Sequence, residues 1–570
     1  MAPEEGAPTG GRLESWKEIA AYLGRGVSTV QRWEREEGLP VHRHLHKKRG
    51  SAYALREEVD AWWSQRAQRL GSEAPGTERR RVYWWGAAAA VAAVAIVAGA
   101  VVSLSPAAPA AVRTLAVLPL ANATGGAESD YLADGLTEGL IEELSTMAGV
   151  RVMGRDTSFR YKDTGVEPRE AGRALRADAV LSGSVASRGS AVEVAAELVS
   201  VADGSRVWQK RYSAEPTTLA SLPQRIRSDV ARRLGVPETP ARRQHAVDEE
   251  IYRLCLRGRY FWNKRTPEGL ERSIELYREA IRRDQLYADA WRGLADAYNI
   301  LAEYTETSEA EAFPAARHAA SRALALDPDR AGAHASLGFV LFWWDRDAAG
   351  AEAEFRRALE LNPNHATAHH WYGNVLLSLD RIEEALDHLQ AAHRSDPLAL
   401  IIGAELGAAL YHARRHDEAV ERLRSTIELD PGFAEAHYWL TRTLLAKGDL
   451  AGALAEAELA RKLYVRPNAM LAEMGLAHAR GARPERAREC LELLEEQRGE
   501  RPVSYALSIL YAGLGETAEA LEALERAAHE RSTDLSFMST DPVFDPLRGE
   551  PRFREIQSRL RRPRSVAGAN

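Results

Sequence analysis

Six prolines recur at nearly constant spacing through the second half of the chain, and this period limits the fold more than any other feature. Successive steps are 35, 34, 34, 36 and 35 residues. The prolines are Pro328, Pro363, Pro397, Pro431, Pro467 and Pro502. A period near 34 residues is typical of a solenoid of helix-turn-helix units, each of which stacks on the next. The spacing therefore predicts a superhelix in which each proline follows the second helix of a unit.

Each unit also has a small residue in its first helix and an alanine twelve positions later in its second. The pairs are Gly373 with Ala385, Gly407 with Ala419, Thr441 with Ala453, Gly475 with Ala487, and Ser508 with Ala520. Small side chains at these positions let the two helices cross closely. With Trp371-Tyr-Gly373, Ala385 and Pro397 in its best unit, the pattern resembles the tetratricopeptide repeat (TPR) family.

Two earlier units extend the array toward the N-terminus. One has Gly258 and Ala280, and the other has Ala295 and an expected insert at 305–313, which brings the count to eight. The tail at 541–553 resembles the C-terminal cap of such arrays. The predicted TPR solenoid with its cap therefore covers residues 247–560.

The concave face of a solenoid is its usual binding surface, and its lining follows from the offset of each side chain from the small residue. Tyrosine and arginine there suit the anchoring of a protein or peptide ligand. The regular Lys and Asn ladder of chaperone-type carboxylate clamps is missing. The alternative is that these side chains pad the packing between repeats. The candidate groove residues are Tyr252, Arg259, Trp262, Asp289, Arg292, Asn299, His370, Asn374, Tyr411, Tyr438, Arg442 and Tyr505.

Residues 82–104 form an uncharged run rich in Ala, Val, Ile and Gly. At about 1.5 Å of rise per residue, a helix of this length crosses a hydrocarbon core of roughly 30 Å. Cations cluster on its N-terminal side, which predicts a cytosolic N-terminus. The flanking cations are Arg66, Arg69, Arg79, Arg80 and Arg81 before the run and Arg113 after it.

The run therefore predicts a single transmembrane helix in the inner (cytoplasmic) membrane, with the C-terminal region periplasmic or extracytoplasmic. The alternative is a buried, Ala-rich core helix. Ala95, Gly99 and Ser103 form a small-xxx-small face that would let two spans approach closely. This face indicates a possible homodimer.

Residues 12–70 contain two short helical segments separated by a glycine turn. Ser15 and Glu18 have the spacing of a capping box, and so do Ser28 and Gln31 at the start of the second segment, which runs to about Glu37. The spacing predicts a helix-turn-helix, in which the second helix enters the major groove of DNA.

A basic hairpin follows the second helix. Between Arg25 and Arg49 there are seven Lys or Arg and three Glu, a local charge of +4 (7 − 3 = 4) in a chain of net charge −7. Cations at a hairpin tip suit phosphate contacts beside the groove. His42, His44 and His46 alternate as metal ligands would, but no Cys or carboxylate completes a set, so we predict a wing and no metal site.

The segment 27–40 resembles the recognition helix and turn of the MerR and excisionase winged-helix family, and 52–62 resembles its closing helix. Members bind duplex DNA, usually as dimers. Gln31 stands where MerR-type regulators commonly carry Arg, and no effector-binding cysteines follow, so metal sensing is not implied. The alternative is a helix-turn-helix shape used for protein contact. The predicted DNA-binding residues are Ser28, Thr29, Gln31, Arg32, Arg35, Arg43, Lys47, Lys48 and Arg49.

Residues 112–240 alternate strand-like and helical segments, which predicts an α/β domain with a mixed sheet. Leu115-Ala-Val-Leu-Pro-Leu120 and Ala179-Val-Leu-Ser-Gly-Ser-Val185 are among the phrases that resemble the TolB amino-terminal-like domain. A helix within it has acidic residues on one face, which we interpret as a solvated stripe in preference to a metal or acid/base cluster. The acidic residues are Asp130, Asp134, Glu138 and Glu142.

The predicted fold class is thus multidomain and mainly α, with a winged helix-turn-helix head, a transmembrane helix, an α/β domain and a C-terminal TPR α-solenoid. No catalytic constellation is present, so we expect neither enzyme activity nor a cofactor, and Cys255 and Cys490 are expected to be structural thiols. The predicted function is a membrane-anchored transcription regulator that senses an extracytoplasmic protein or peptide partner. The alternative is an envelope-associated TPR scaffold for complex assembly without DNA binding.

Overall fold

The computed structural model describes residues 11–43, 52–72, 112–188, 191–237, 245, 247–305, 307–463, 467–498, 502–530 and 532–560. They belong to two compact units, residues 1–110 and residues 111–570. Each unit has a hydrophobic core of its own.

The described part of the first unit, the head, has three helices and three short strands. They are β1 (Arg12–Leu13), α1 (Trp16–Tyr22), α2 (Val27–Glu37), β2 (His42–Arg43), β3 (Ala52–Leu55) and α3 (Arg56–Ser72). The strands pair antiparallel in the order β1-β3-β2. Ser15 caps α1 by accepting a hydrogen bond from the backbone N of Glu18. The second capping box does not form, because the extended Gly26 already ends the turn and α2 begins at Val27, before Ser28.

The second unit begins with a mixed sheet in the order β6-β4-β7-β8-β9, with β5 beside β7. The β4 strand is parallel to β6 and β7, whereas β7, β8 and β9 are antiparallel. This is the mixed sheet that the order of segments predicts. The elements are β4 (Thr114–Val117), β5 (Ala121–Asn122), α4 (Ala127–Ser145), β6 (Arg151–Val152), α5 (Arg155–Phe159), α6 (Pro168–Ala174), β7 (Ala179–Arg188), β8 (Ala191–Ser200), β9 (Arg206–Ala214) and α7 (Leu222–Leu234).

Eight antiparallel helix pairs follow among the described residues, and successive pairs pack on one another as a solenoid. Gly373 lies at a predicted crossing, where a Cβ atom would approach Cγ of Leu389 to 2.7 Å. The pairs are α8 (Glu249–Asn263) with α9 (Pro267–Arg283), α10 (Ala288–Tyr304) with α11 (Glu309–Leu326), α12 (Ala331–Trp343) with α13 (Ala348–Leu361), α14 (Ala366–Ser378) with α15 (Ile382–Ser395), α16 (Leu400–His412) with α17 (His416–Leu429), α18 (Ala434–Lys447) with α19 (Leu450–Leu463), α20 (Pro467–Arg480) with α21 (Pro484–Glu495), and α22 (Ser504–Leu514) with α23 (Thr517–His529).

The insert predicted at 305–313 does not form a separate loop. Helices α10 and α11 have 17 and 18 residues, so the additional residues lengthen both helices of this pair. Helix α10 ends at Tyr304, and α11 begins at Glu309.

The C-terminal cap closes the last repeat. It has two 3-10 turns, Thr533–Phe537 and Pro542–Leu547, and a final helix, α24 (Pro551–Leu560). Phe544 and Phe553 are almost fully buried, so the cap belongs to the core of the solenoid.

The predicted fold class is wrong in its membrane-spanning helix. Across the described ranges no helix is both long and apolar enough to cross a bilayer, and the 19-residue α4 illustrates why, since six of its side chains are acidic. The predicted single-pass inner-membrane location, with an extracytoplasmic C-terminal region, is corrected on the same finding. Residues 82–104, with Ala95, Gly99 and Ser103, lie outside the described residues. The fold is mainly helical and contains a TPR solenoid.

Candidate functional site

Helix α2 of the head is the predicted recognition helix, and its two faces differ in burial. Val30 and Trp33 are buried and hold the helix on the core of the head. The predicted contacts on this helix are exposed or half-buried, and they are Ser28, Thr29, Gln31, Arg32 and Arg35. Their guanidinium, amide and hydroxyl groups are of the types that bind phosphates and base edges.

The wing is described in part. Arg43 on β2 is exposed, and its Nη2 lies 2.7 Å from Oε1 of Glu34 on α2, so strand and helix form one polar surface. Lys47, Lys48 and Arg49 lie outside the described residues.

Of the three alternating histidines, His42 lies among the described residues. Nε2 of His42 lies 2.6 Å from Oε2 of Glu58, and its ring stacks on Tyr53. His44 and His46 lie outside the described residues. Throughout the described ranges, no group of three His, Cys, Asp or Glu side chains is placed to hold a metal ion.

An aromatic cluster that sequence reasoning missed holds α2 against α3. The ring centroids of Trp62 and Trp63 lie 5.8 and 5.6 Å from that of Trp33. Cζ of Arg66 lies 4.1 Å from the Trp33 ring, and Nε1 of Trp62 donates to the backbone O of Glu37 at 2.8 Å. The consecutive tryptophans on α3 are the signal that could have revealed this cluster.

In the second unit, the α/β domain occupies the N-terminal end of the groove. Helix α4 packs on α8 at Gly135, where a Cβ atom would lie 2.7 Å from the side chain of Leu256. Two predicted groove residues on this side form ion pairs within the chain, because Arg259 and Arg292 lie 2.9 and 3.2 Å from the carboxylate of Asp296. Three other predicted groove residues are also used within the chain at this end. Tyr252 and Trp262 are buried, and Asp289 forms an ion pair with Arg330.

The acidic stripe of α4 is buried in part by this packing, so the expected solvated stripe is corrected. Nζ of Lys162 lies 2.7 Å from Asp134, which is 5% exposed. Glu138 accepts hydrogen bonds from Nε of Arg155 and Nδ2 of Asn263, both at 2.8 Å. The domain interface, which sequence periodicity does not show, covers this face.

A second contact joins the α/β domain to the fourth helix pair. The carboxylate of Asp396 accepts hydrogen bonds from the backbone N of Asp156 at 3.1 Å, and from the backbone N and Oγ1 of Thr157 at 2.8 and 2.6 Å. A Cβ atom on Gly154 would approach Cγ of Asp396 to 2.4 Å, so glycine is needed for this approach. Sequence reasoning did not find Asp396, because its partners lie about 240 positions away.

Burial and, to a smaller extent, the negative charge of Asp156 raise the pKa of Asp396 to about 7. A carboxyl group whose pKa is higher in the folded than in the unfolded state binds its proton more tightly when folded. The free energy of unfolding therefore falls as pH rises from about 4 to about 7. We expect Asp396→Asn to remove this contribution, so that the variant gains stability relative to the wild type between pH 5 and pH 8. Urea unfolding at both values measures the gain, and an equal difference at both would contradict it.

The C-terminal cap occupies the other end of the groove. Asp541 is fully buried and accepts hydrogen bonds from the hydroxyls of Tyr411 and Tyr505, at 3.0 and 3.3 Å. Nη2 of Arg442 lies 2.7 Å from Asp541, and its Nε lies 2.9 Å from Glu473. Burial opposes the ionised form of Asp541, but Arg442 reverses this effect, and the net pKa is lowered.

Between these two ends lies a cavity of about 1640 Å³. Residues of the α/β domain, of successive helix pairs and of the cap line it. Eleven of the twelve predicted groove residues line it, and Tyr411 is the exception. Several of them, including Arg259, Arg292 and Arg442, are at the same time held in ion pairs within the chain.

Family comparisons match four parts of the second unit. Residues 111–229 match the family described as HilA/YgeH-like transcriptional regulator, second domain. Residues 268–306, 341–399 and 410–471 match tetratricopeptide repeat families. The chain contains a HilA-like transcriptional regulator domain and TPR repeats. The TolB amino-terminal-like domain that residues 112–240 resemble is not shown by these matches.

Individual proteins are similar over smaller parts. The putative adenylate cyclase 3 of Rhizobium meliloti (strain 1021) is 30% identical over 151 residues, which are 26% of this chain and 26% of that protein. The chain thus spans about a quarter of the length of that relative. Pseudomonas aeruginosa PilF is 21% identical with a TM-score of 0.31, over 38% of this chain and 95% of that one. Human IFIT1, in a dimer with PPP-AAAA, is 16% identical with a TM-score of 0.37, over 55% of this chain and 79% of that one.

Proposed function

We propose that the protein is a DNA-binding transcription regulator whose TPR array binds a protein or peptide partner. The head binds duplex DNA through α2 and the wing, and the second unit carries the partner site. The matched regulator domain and repeats are non-catalytic families, which supports a function without catalysis.

The observation that carries this proposal is the presence of a HilA-like regulator domain and TPR repeats behind a winged helix-turn-helix head. The exposed Arg32 and Arg35, on the face of α2 opposite the buried Trp33, support DNA contact by the head. Arg43 extends that surface onto the wing. Cations in this arrangement suit a helix in the major groove flanked by phosphate contacts.

Arg32→Ala combined with Arg35→Ala is expected to weaken duplex binding by the full-length protein tenfold or more. Each lost phosphate contact lowers the number of counterions that are released when the protein binds DNA. The slope of log affinity against log salt concentration should therefore decrease in magnitude by about 2. Fluorescence anisotropy with a labelled duplex, isolated by selection from random sequence, measures both quantities.

A matched control removes the same charge from the second unit. Arg486 and Arg488 lie on α21, and both side chains are 67% exposed. Replacing both by Ala should leave DNA affinity and its dependence on salt unchanged. Equal affinity of the head variant and the wild type, or duplex binding that does not depend on salt, would refute the proposed role of the head.

A further inference from the structure

Strand β9 and helix α7 of the α/β domain carry a high density of positive charge. Between Arg206 and Leu234 there are seven Lys or Arg and two Asp or Glu, a local charge of +5 (7 − 2 = 5) in a chain of net charge −7. Arg227 is buried and pairs with Glu143, whereas the other six cations are exposed. These six residues, which we call the basic strip, are Arg206, Lys210, Arg211, Arg225, Arg232 and Arg233.

Contacts between α7 and β9 bring cations of the strip together. Nζ of Lys210 and Nη1 of Arg232 lie 2.7 and 3.0 Å from the carboxylate of Asp229. Nζ of Lys210 and Cζ of Arg225 lie 5.0 and 5.7 Å from the centroid of the Tyr212 ring. Cations of the strand and of the helix therefore belong to one surface.

The other members of the strip extend this surface along the edge of the sheet. Nε of Arg233 donates to the backbone O of Val207 at 2.7 Å, which holds the end of α7 beside β9. Nε of Arg206 lies 3.1 Å from Oε2 of Glu197 on β8. Among the described strands, β9 is the last of the sheet and pairs with β8 alone. The exposed Arg211 of β9 therefore flanks the same open edge.

The strip keeps an excess of positive charge after its internal ion pairs are counted. Asp229 and Glu197 are its carboxylate partners among the described residues, which leaves six cations against two acids, a charge of +4 (6 − 2 = 4). Five of the six cations are arginines. The planar guanidinium group offers paired N–H donors that match phosphate oxygens, so the composition of the strip favours a phosphate ligand.

The spacing of the cations suits a series of phosphates in preference to a single one. Arg225 and Arg232 are seven residues apart on α7, which corresponds to two helical turns and about 10 Å. Arg206 and Lys210 are four residues apart on β9, or about 13 Å. Duplex DNA carries one negative charge per about 1.7 Å of its axis. A duplex along a surface of this length therefore presents several phosphates to it.

An anionic membrane is a less suitable ligand for this surface. Segments that bind at a membrane surface present large apolar side chains next to their cations. In the described residues of 206–234, Trp208 is half-buried, while Tyr212 and Ile226 are 3% and 1% exposed. The large apolar groups of the strip thus face the core of the domain, and only polar groups are available to a ligand.

We propose that the basic strip is a second DNA site, which binds the phosphate backbone of a duplex without regard to sequence. The inference rests on the proposed DNA-binding function and adds a contact from the second unit to that of the head. Phosphate contacts supply affinity but carry no sequence information, so the strip strengthens binding while the head selects the site. Cations on an edge strand also prevent pairing between sheets, but that role predicts no effect on DNA affinity.

The test uses the full-length protein and a labelled duplex of scrambled sequence. Arg211→Gln combined with Arg225→Gln and Arg232→Gln should weaken binding tenfold or more. The slope of log affinity against log salt concentration should decrease in magnitude by about 3, because up to three phosphate contacts are lost. Fluorescence anisotropy at a series of salt concentrations measures both quantities. On the duplex isolated by selection, affinity should fall by the same factor, so the preference for that duplex is unchanged.

Two further variants separate a local phosphate site from general charge and from misfolding. Replacing Arg424, Arg486 and Arg488 by Gln removes the same charge from exposed positions of the solenoid, and it should leave duplex binding unchanged. Replacing Arg211, Arg225 and Arg232 by Lys keeps the charge of the strip and should keep affinity within threefold of the wild type. All three variants should have the Tm of the wild type, because the replaced side chains are exposed.

Wild-type affinity and salt slope in the Gln variant of the strip would overturn the inference. So would an equal loss in the solenoid control, or an equal loss in the Lys variant. Vesicles of phosphatidylcholine and phosphatidylserine are the competing ligand, and if the Gln variant lost binding to them but not to the duplex, the strip would be a membrane contact. Failure of the proposed role of the head appears as equal affinity of Arg32→Ala with Arg35→Ala and the wild type, and it leaves the test on the scrambled duplex intact.

Discussion

Replacing Asp541 by Ala is expected to lower the free energy of unfolding of the second unit by about 3–5 kcal/mol, since it removes one carboxylate partner of a buried guanidinium and leaves buried hydroxyl donors unsatisfied, each at a cost of about 1–3 kcal/mol. The guanidinium is that of Arg442, which is 4% exposed and keeps Glu473 as a partner. The hydroxyls of Tyr411 and Tyr505 would also lose their acceptor. Urea unfolding followed by circular dichroism, with the head transition fitted separately, measures the change.

Two comparisons isolate the ion pair. Asp545→Ala, in the same cap, removes a half-exposed acid that pairs with Arg414 at 2.7 Å, and it should cost less than about 1 kcal/mol. In a double-mutant cycle, Asp541→Ala should cost less in an Arg442→Leu background than in the wild type, because the ion pair that it removes is already absent there. A loss below about 1 kcal/mol in Asp541→Ala, or additive effects in the cycle, would contradict this stabilising role of Asp541.

The repeats and the mixed sheet could be predicted because their determinants are local. Each helix pair needs small residues at one crossing, as at Gly373, and those residues recur at a fixed spacing. Likewise the alternation Val192, Val194, Ala196 and Leu198 is enough to indicate a strand with one buried face. Such patterns are set within one or two elements and do not depend on which distant segment packs against them.

The candidate site was less predictable because it is made by distant segments. Arg442 and Tyr411 have the correct offsets for a groove, but Asp541, 99 and 130 residues further along the chain, turns them into part of the core. Asp396 meets Thr157 across 239 residues in the same way. Offsets give the face of a helix on which a residue lies, but they do not show which segment of the chain covers that face.

Trp33→Ala is expected to unfold the head and to abolish duplex binding, while the unfolding transition of the second unit stays unchanged. Trp33 is 5% exposed and contacts Trp62, Trp63 and Arg66. Truncating a buried tryptophan to Ala costs about 3–5 kcal/mol, which is comparable to the whole stability of a domain of this size. Because the head is a compact unit with its own core, the loss should remain confined to it.

The measurement is thermal unfolding of the full-length protein together with anisotropy on the selected duplex. Trp63→Ala is the matched comparison: its side chain is 38% exposed, so the head should keep a cooperative transition at a lower Tm and retain DNA binding. Wild-type DNA affinity in Trp33→Ala would mean that α2 does not have to be held on its core in order to bind. The DNA contact would then have to be assigned to another part of the chain, because a recognition helix positions its side chains in the groove only when the rest of the domain holds it.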